Sequence, residues 1–348
     1  MKIALILASN CWFSPYLNLY TSILYSNGIN YDIISWNRDL SEPETPTTFS
    51  DKRPSNNKLK NYINYVSFVK SILNKNKYDK LIVFSPQIAL LLYRTLILKY
   101  PQRYAIDYRD LSIEQNQLIK PLYSQLLKHS GLNVISSPGY KNYLPPANYI
   151  ISHNINNEIA KSAIGKYHIN KANPIKILTI GSIRDYESNI DVINGIANIT
   201  NFELYFVGKG IASDKLQNYV KHRHIKNVFF SGYYTKKDEP TYIIDASLLN
   251  IFYPQIKSHI SALSNRFYNS LIFKRPMIVT KHSIQGDYAE KYNIGITLDN
   301  CKYLSTKIIT FFNNIDDNLY ETQCDKLLNT FIDENILFEK EVINFILK

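Results

Sequence analysis

Short apolar runs and helix-period stretches alternate along this chain from its first residues. Strand-like runs fall at 2–8, 31–35, 80–85, 103–107, 132–136 and 149–152, with helix-like segments between them. That alternation predicts a parallel sheet with crossover helices. A second series follows Lys171-Ala172-Asn173-Pro174, with runs at 175–181, 202–208, 228–231, 248–252, 277–280 and 295–297. The chain therefore reads as α/β, with a first doubly wound domain over 1–155, a linker over 156–174, a second such domain over 175–332 and a closing helix over 333–348. Ile336, Leu337, Val342, Ile343, Phe345 and Ile346 make that helix apolar enough to pack. One segment breaks the rhythm. From 37 to 57 the chain is polar, carries Pro43, Pro46 and Pro54, and is longer than an ordinary connection. It follows a strand's carboxyl end, so it reads either as a lid over a ligand or as plain disorder.

At 348 residues the chain exceeds the usual single-core size, and a hydrophobic fraction of 45% is ample for two cores. Cys11, Cys301 and Cys324 lie far apart without a Cys-x-x-Cys pair. Their spacing disfavours a structural zinc site or a disulfide framework and fits a reducing cytoplasm. The opening M-K-I-A-L-I-L-A is too short for a signal segment and reads as a buried strand. The longest apolar region, 81–98, is broken by Ser85, Pro86, Gln87 and Arg94, so no transmembrane span is expected.

The formal net charge of +11 points to an anionic partner. Between 52 and 80, Lys52, Arg53, Lys58, Lys60, Lys70, Lys75, Lys77 and Lys80 face the single acid Asp79. Leu59, Tyr62, Ile63, Val66, Val69, Ile72 and Leu73 form a helical stripe in the same region. Two readings stay open: a core-facing helix with a solvated basic face, or a surface helix that touches anionic lipid at the inner face of the membrane. Nucleic acid is disfavoured, because no binding motif accompanies the charge.

The stretch 264–280, S-N-R-F-Y-N-S-L-I-F-K-R-P-M-I-V-T, predicts a helix opening near Ser264, stopped by Pro276 and followed by a buried strand. Arg266 falls in its first turn, where free backbone N–H groups already favour an anion. Ile177-Leu178-Thr179-Ile180-Gly181-Ser182-Ile183-Arg184 is a strand entering a glycine turn, with an Arg that can fork onto phosphate oxygens or serve as a plain surface residue. Phe206-Val207-Gly208-Lys209-Gly210 repeats the strand-then-glycine arrangement, and Val228-Phe229-Phe230-Ser231-Gly232-Tyr233-Tyr234 follows. In the first domain, Tyr104-Ala105-Ile106-Asp107-Tyr108-Arg109-Asp110 ends a strand with clustered charge. Asp107 or Asp110 can accept a proton there and Arg109 can hold a phosphate, or an Asp–Arg pair simply fixes the loop. His259, in the loop before the 264–280 segment, can reach a sugar hydroxyl or phosphate, or can merely face solvent.

Taken in order, these landmarks resemble the donor half of GT-B glycosyltransferases, particularly the family 4-like enzymes of bacterial capsule and O-antigen synthesis. Asn265, Arg266, Leu271 and Pro276 match that family's N-K-x-x-E-x-L-x-x-G-x-P-V-I pattern, with Arg in the Lys place. The resemblance implies two Rossmann-like domains facing a cleft, with the last helix crossing back to the first domain. It also implies transfer of a sugar from a nucleotide-sugar to a glycan, polyprenyl-diphosphate-linked in such pathways, with retained configuration and neither metal nor cofactor. By the same resemblance Gly181, Arg184, Gly208, Tyr233, Ser261, Asn265, Arg266 and Asn269 line the donor site, with Asp107, Arg109 and Asp110 beside the acceptor. Two positions depart from the pattern. Where many relatives carry paired Glu residues eight positions apart, this chain has Ser261 and Asn269. The bulky Ser9–Tyr16 turn also replaces a glycine-rich loop. The rival readings are a non-catalytic glycosyltransferase-like subunit that binds a glycan or a partner enzyme, and a nucleotide-sugar epimerase of the same fold, whose paired acids and His are not recognisable here.

Overall fold

The structure, a computed structural model, describes residues 1–51 and 54–348. Lys52 and Arg53 of the basic stretch lie outside the described residues. The chain forms two compact units, Met1–His153 with Glu334–Lys348, and Asn154–Asp333.

The first unit holds β1 (Lys2–Ile6), β2 (Asn30–Trp36), β3 (Thr48–Phe49), β4 (Lys80–Val83), β5 (Tyr104–Tyr108), β6 (Leu132–Ile135) and β7 (Ile150–Ile151). They form one parallel sheet in the order β3-β2-β1-β4-β5-β6-β7. Strand β3 is an addition to the predicted runs and arises inside the polar 37–57 segment. Its two residues pair with β2 at Ser35 and Trp36, and the start of the segment is tied separately: buried Asn10 donates to Asn37 at 2.9 Å and to Asp39 at 2.6 Å, and accepts from the Arg38 N–H at 3.0 Å.

In the helix Lys58–Lys75, Tyr65, Val66, Val69, Ile72 and Leu73 are buried. Leu59 and Ile63 of the predicted stripe are instead 60% and 48% exposed. The last helix, Asp317–Leu347, is longer than predicted, since no Gly or Pro interrupts it. Phe338, Val342, Phe345 and Ile346 pack in the first unit's core with Ile3, Leu5 and Leu24, while Ile336 and Leu337, expected to pack, are 45% and 47% exposed. Buried Lys80 donates to the Phe345 carbonyl, placing a cation at the negative end of this helix.

The second unit holds β8 (Ile175–Ile180), β9 (Phe202–Val207), β10 (Val228–Gly232), β11 (Leu248–Ile251), β12 (Met277–Thr280) and β13 (Gly295–Leu298), in the parallel order β10-β9-β8-β11-β12-β13. Successive side chains serve opposite faces. Leu178, Leu249, Met277 and Val279 enter one core, which residues such as Leu327, Leu328 and Phe331 of the last helix close, while Ile177, Leu248 and Ile278 enter the other. Both faces are covered, which explains the near-continuous apolar strands. Among the described residues no helix is long and apolar enough to cross a membrane.

His153, fully buried at the end of the first stretch of unit one, is tied to the return of the chain. Its N–H donates to Asn335 at 2.7 Å and its Nε2 lies 2.5 Å from Glu334. Burial lowers the His153 pKa from its ordinary value, helped by the nearby Arg109 charge and opposed but not reversed by Glu334. A His with a depressed folded pKa contributes stability that is present above its unfolded value and is lost on acidification. We expect the melting temperature to fall as pH drops below about 6.5, the unperturbed His value, and His153→Gln to flatten that dependence in melts between pH 8 and pH 5.

Candidate functional site

The second sheet reverses its winding direction between β8 and β11, the place where open α/β sheets leave a crevice at their carboxyl ends. The two strands pair only at Ile177 with Leu248 and Leu178 with Leu249. Beyond that register their carbonyls need other donors, because an unpaired buried carbonyl is costly. Arg266 supplies them. Its Nε donates to Ile180 O at 2.5 Å, Nη1 to Asn250 O at 3.1 Å and Nη2 to Ser182 O at 3.3 Å.

The helix Asn265–Phe273 presents Arg266 at that point for local reasons. The Ser264 hydroxyl caps its N-terminus by accepting from the Phe267 N–H at 3.3 Å and itself donates to Gln285 at 2.7 Å. Lys274, in the left-handed region at φ 54°, ends it ahead of Pro276. Arg266 was expected in the first turn of this helix, beside an anion. Three of its N–H groups instead close the sheet, and each terminal nitrogen keeps one further N–H for a ligand.

A cavity of about 300 Å³ opens at this edge. The turn after β8 gives it Gly181, Ser182, Arg184 and Asp185; the segment after β10 gives Tyr234, Lys236 and Glu239; the capped helix gives Asn265, Arg266 and Asn269. Arg184 is exposed, with its Nε 2.9 Å from the Ser182 hydroxyl. His259 also lines the cavity, with its ring edge on Tyr253 at 5.3 Å between centroids. Its Nδ1 is buried and has no hydrogen-bond partner among the described residues. A shallower cavity of about 330 Å³ shares Gly181, Ser182, Tyr234 and Lys236 with the first and adds Gly208, Lys209 and Tyr233. Tyr233 is 83% exposed there, with the Lys209 ammonium 5.5 Å from its ring centre.

Gly208 is required by contact. A Cβ at that position would lie 2.1 Å from the Gly181 carbonyl oxygen, and its φ of +120° excludes ordinary side chains.

Ser261 does not reach either cavity. It is buried, and its hydroxyl donates to the Lys257 carbonyl at 2.6 Å, the back-bond a short hydroxyl makes one helical turn upstream. Asn265 accepts from Asn154 at 2.8 Å. The structure adds Tyr253, Gln285 and above all Glu239, which no expectation included. Glu239-Pro240 reads in sequence only as a helix start, and nothing linear links it to Asn269, thirty residues later.

In the first unit the Asp107–Arg109–Asp110 cluster divides. Asp107 is fully buried and both of its oxygens are engaged: Arg109 Nε reaches Oδ1 at 2.6 Å, and Arg109 Nη2 and the Tyr20 hydroxyl reach Oδ2, each at 2.7 Å. Arg109 also donates twice to Ser152, both at 3.1 Å, and its guanidinium lies 4.7 Å from the Tyr16 ring centre. Burial by itself would lower the Arg109 pKa, but the Asp107 charge, its hydrogen bond and the neighbouring Tyr20 and Tyr16 together outweigh it and raise the pKa. The pair is therefore an internal tie, and Asp107 as proton acceptor and Arg109 as phosphate ligand are corrected to that role. Asp110 is exposed.

Comparison by sequence finds no matching protein family and no matching curated protein. Comparison of structures finds close likenesses of fold. The chain superposes on Anabaena HepE, solved in complex with UDP, with a TM-score of 0.69 at 12% identity, covering 99% of this chain and 100% of that one. A sucrose-phosphate synthase from Thermosynechococcus elongatus gives 0.70 at 14%, covering 99% and 97%. A UDP-N-acetylglucosamine 2-epimerase from Rickettsia bellii gives 0.59 at 11%, covering 97% of each. These likenesses show the GT-B fold, two Rossmann-like units with the last helix packed in the first. A transferase and an epimerase share it, so the fold alone does not choose between them.

The internal-tie assignment has a direct check. Replacing Asp107 by Ala strands the Arg109 charge, and removing one partner of a buried pair costs about 3–5 kcal/mol. Asp107→Ala should lower unfolding stability by that order in urea titration; an unchanged midpoint would return Asp107 to the catalytic candidates.

Proposed function

We propose that this protein is a glycosyltransferase that moves a sugar from a nucleotide-sugar donor to a glycan acceptor, with the donor held at the carboxyl edge of the second sheet. The observation that carries the reading is the polarity of that cavity: Arg184 and the remaining N–H groups of Arg266 stand beside two glycine turns where backbone can approach an anion closely. The bound UDP of HepE belongs to that protein and supports the reading by analogy of fold. The epimerase reading lacks a comparable observation.

In the reaction we assign, the acceptor oxygen bonds to the anomeric carbon as the bond to the diphosphate breaks. The leaving diphosphate takes the acceptor proton, configuration is retained, and no metal enters. Arg184 and Arg266 stabilise the charge that develops on the diphosphate. Asp110 is assigned the acceptor side. The family 4-like placement, a lipid-linked acceptor in surface polysaccharide synthesis and a cytoplasmic site of action form part of the same proposal. Leu59 and Ile63, exposed on the basic helix Lys58–Lys75, favour a peripheral contact with anionic lipid. Sedimentation with phosphatidylglycerol vesicles but not with phosphatidylcholine vesicles is the expected result, and equal behaviour removes that element.

The donor site is tested by calorimetric titration of the purified protein with UDP, GDP, TDP and CMP and their sugars. A charge-assisted hydrogen bond contributes about 1.5–3 kcal/mol, so Arg184→Ala should weaken the preferred nucleotide roughly 10- to 100-fold with an unchanged melting temperature. Arg266→Ala should weaken binding and also lower the melting temperature, because it strips three backbone carbonyls of their donor. A well-folded parent that binds none of these nucleotides overturns the reading in favour of a glycan-binding subunit.

A further inference from the structure

Asn269 is neutral, yet the cavity beside it contains a carboxylate. Its Nδ2 donates to Glu239 Oε1 at 2.7 Å. Glu239 comes from another element, the helix Glu239–Asp245 that follows β10, and it is only 6% exposed while lining the same cavity as Arg184, Arg266 and Asn269. Its second oxygen pairs with Lys236, whose side chain is 81% exposed. Each carboxylate oxygen accepts more than one hydrogen bond, so both keep acceptor capacity beyond the protein's own donors.

A buried carboxylate held by a neutral amide and an ammonium on an exposed side chain is expensive to keep in a folded protein. In a cavity that otherwise favours anions it also repels a phosphate group, which excludes a role in binding the diphosphate. What it can receive are ligand O–H donors, and a carboxylate fits two adjacent hydroxyls with one oxygen to each. The phenol of Tyr234 stands by the same group: burial first, and the neighbouring Glu239 next, push its pKa up and keep it a hydrogen-bond donor.

We infer that Glu239, braced by Asn269, is the hydroxyl-recognising carboxylate of this cavity, supplied from the segment after β10 instead of from position 269. The inference rests on the donor-site reading above and adds to it the residue that reads vicinal hydroxyls. Those hydroxyls belong either to the ribose or to the transferred sugar.

Titrations of parent, Glu239→Gln, Glu239→Asp and Glu239→Gln with Asn269→Glu separate these sources. The probes are UDP and GDP against their 2′,3′-dideoxy forms, and UDP-glucose and GDP-mannose against UDP and GDP. The parent should prefer the ribose-bearing form, or the sugar-bearing form, by roughly 10-fold or more, the fold-change of one charge-assisted hydrogen bond. Glu239→Gln should erase that preference while still binding the dideoxy or sugar-free probe. Glu239→Asp, which keeps the charge and withdraws it by one methylene, should reduce it, and Asn269→Glu in the Gln background should restore it. Each variant's fold is checked by its circular dichroism melt, and Glu239→Asp carries the test should Glu239→Gln not fold. Full preference in a folded Glu239→Gln or Glu239→Asp protein overturns the inference and leaves the donor site standing. A parent that binds no probe overturns the donor site and this inference together.

Discussion

The second unit is organised around one demand: two parallel strands that separate at the switch point must find donors for the carbonyls they no longer offer each other. Arg266 meets it with a planar fork on a helix whose start is fixed by the Ser264 cap. A Lys could not do the same, since its donors radiate from one atom and cannot span carbonyls on both sides of a gap. The rim of the crevice that results carries the guanidinium as well. Structural closure and the positive field of the site come from the same side chain, which explains why so buried an Arg is tolerated there.

Around that fork the cavity is divided by charge. Arg184 and the glycine turns after β8 and β9 make one side favourable to anions, with Gly208 packed against the Gly181 carbonyl where no Cβ fits. Glu239 and Asn269 make the other side an acceptor of hydrogen bonds. Opposed sign within a small cavity orients a ligand that carries phosphate at one point and hydroxyls at another, because inverting it would place each group against its own charge. Lys236 and Tyr234 lie where the two cavities meet.

The first unit uses its charge differently. Asp107 and Arg109 neutralise each other inside the fold, with Tyr20 and Ser152 taking the remaining bonds. That network positions the segment after β5 and holds both Asp107 oxygens against Arg109 and Tyr20 inside the fold. That leaves Asp110, two residues beyond the strand, as the exposed carboxylate of the cluster.

The sequence by itself determined the alternation of strands and helices, the division into two sheets and the turns at Gly181 and Gly208. Those features are written in local periodicity and in residues such as Pro276 whose backbone limits hold anywhere. It also pointed to Arg184 at a strand exit, Arg266 at a helix start, His259 in the segment before that helix and, through the resemblance, Asn269, and these four line one cavity. Only the tertiary structure decided how their hydrogen bonds are spent. Asp107 lost its catalytic reading because Tyr20, far away in sequence, claims an oxygen; Ser261 lost its place in the cavity to a bond with its own helix. Glu239 gained a role because packing of the helices after β10 and β11 brings it to Asn269. A side chain's chemistry depends on which donors and acceptors it has already engaged, and that pairing is set by contacts between segments that no linear pattern records.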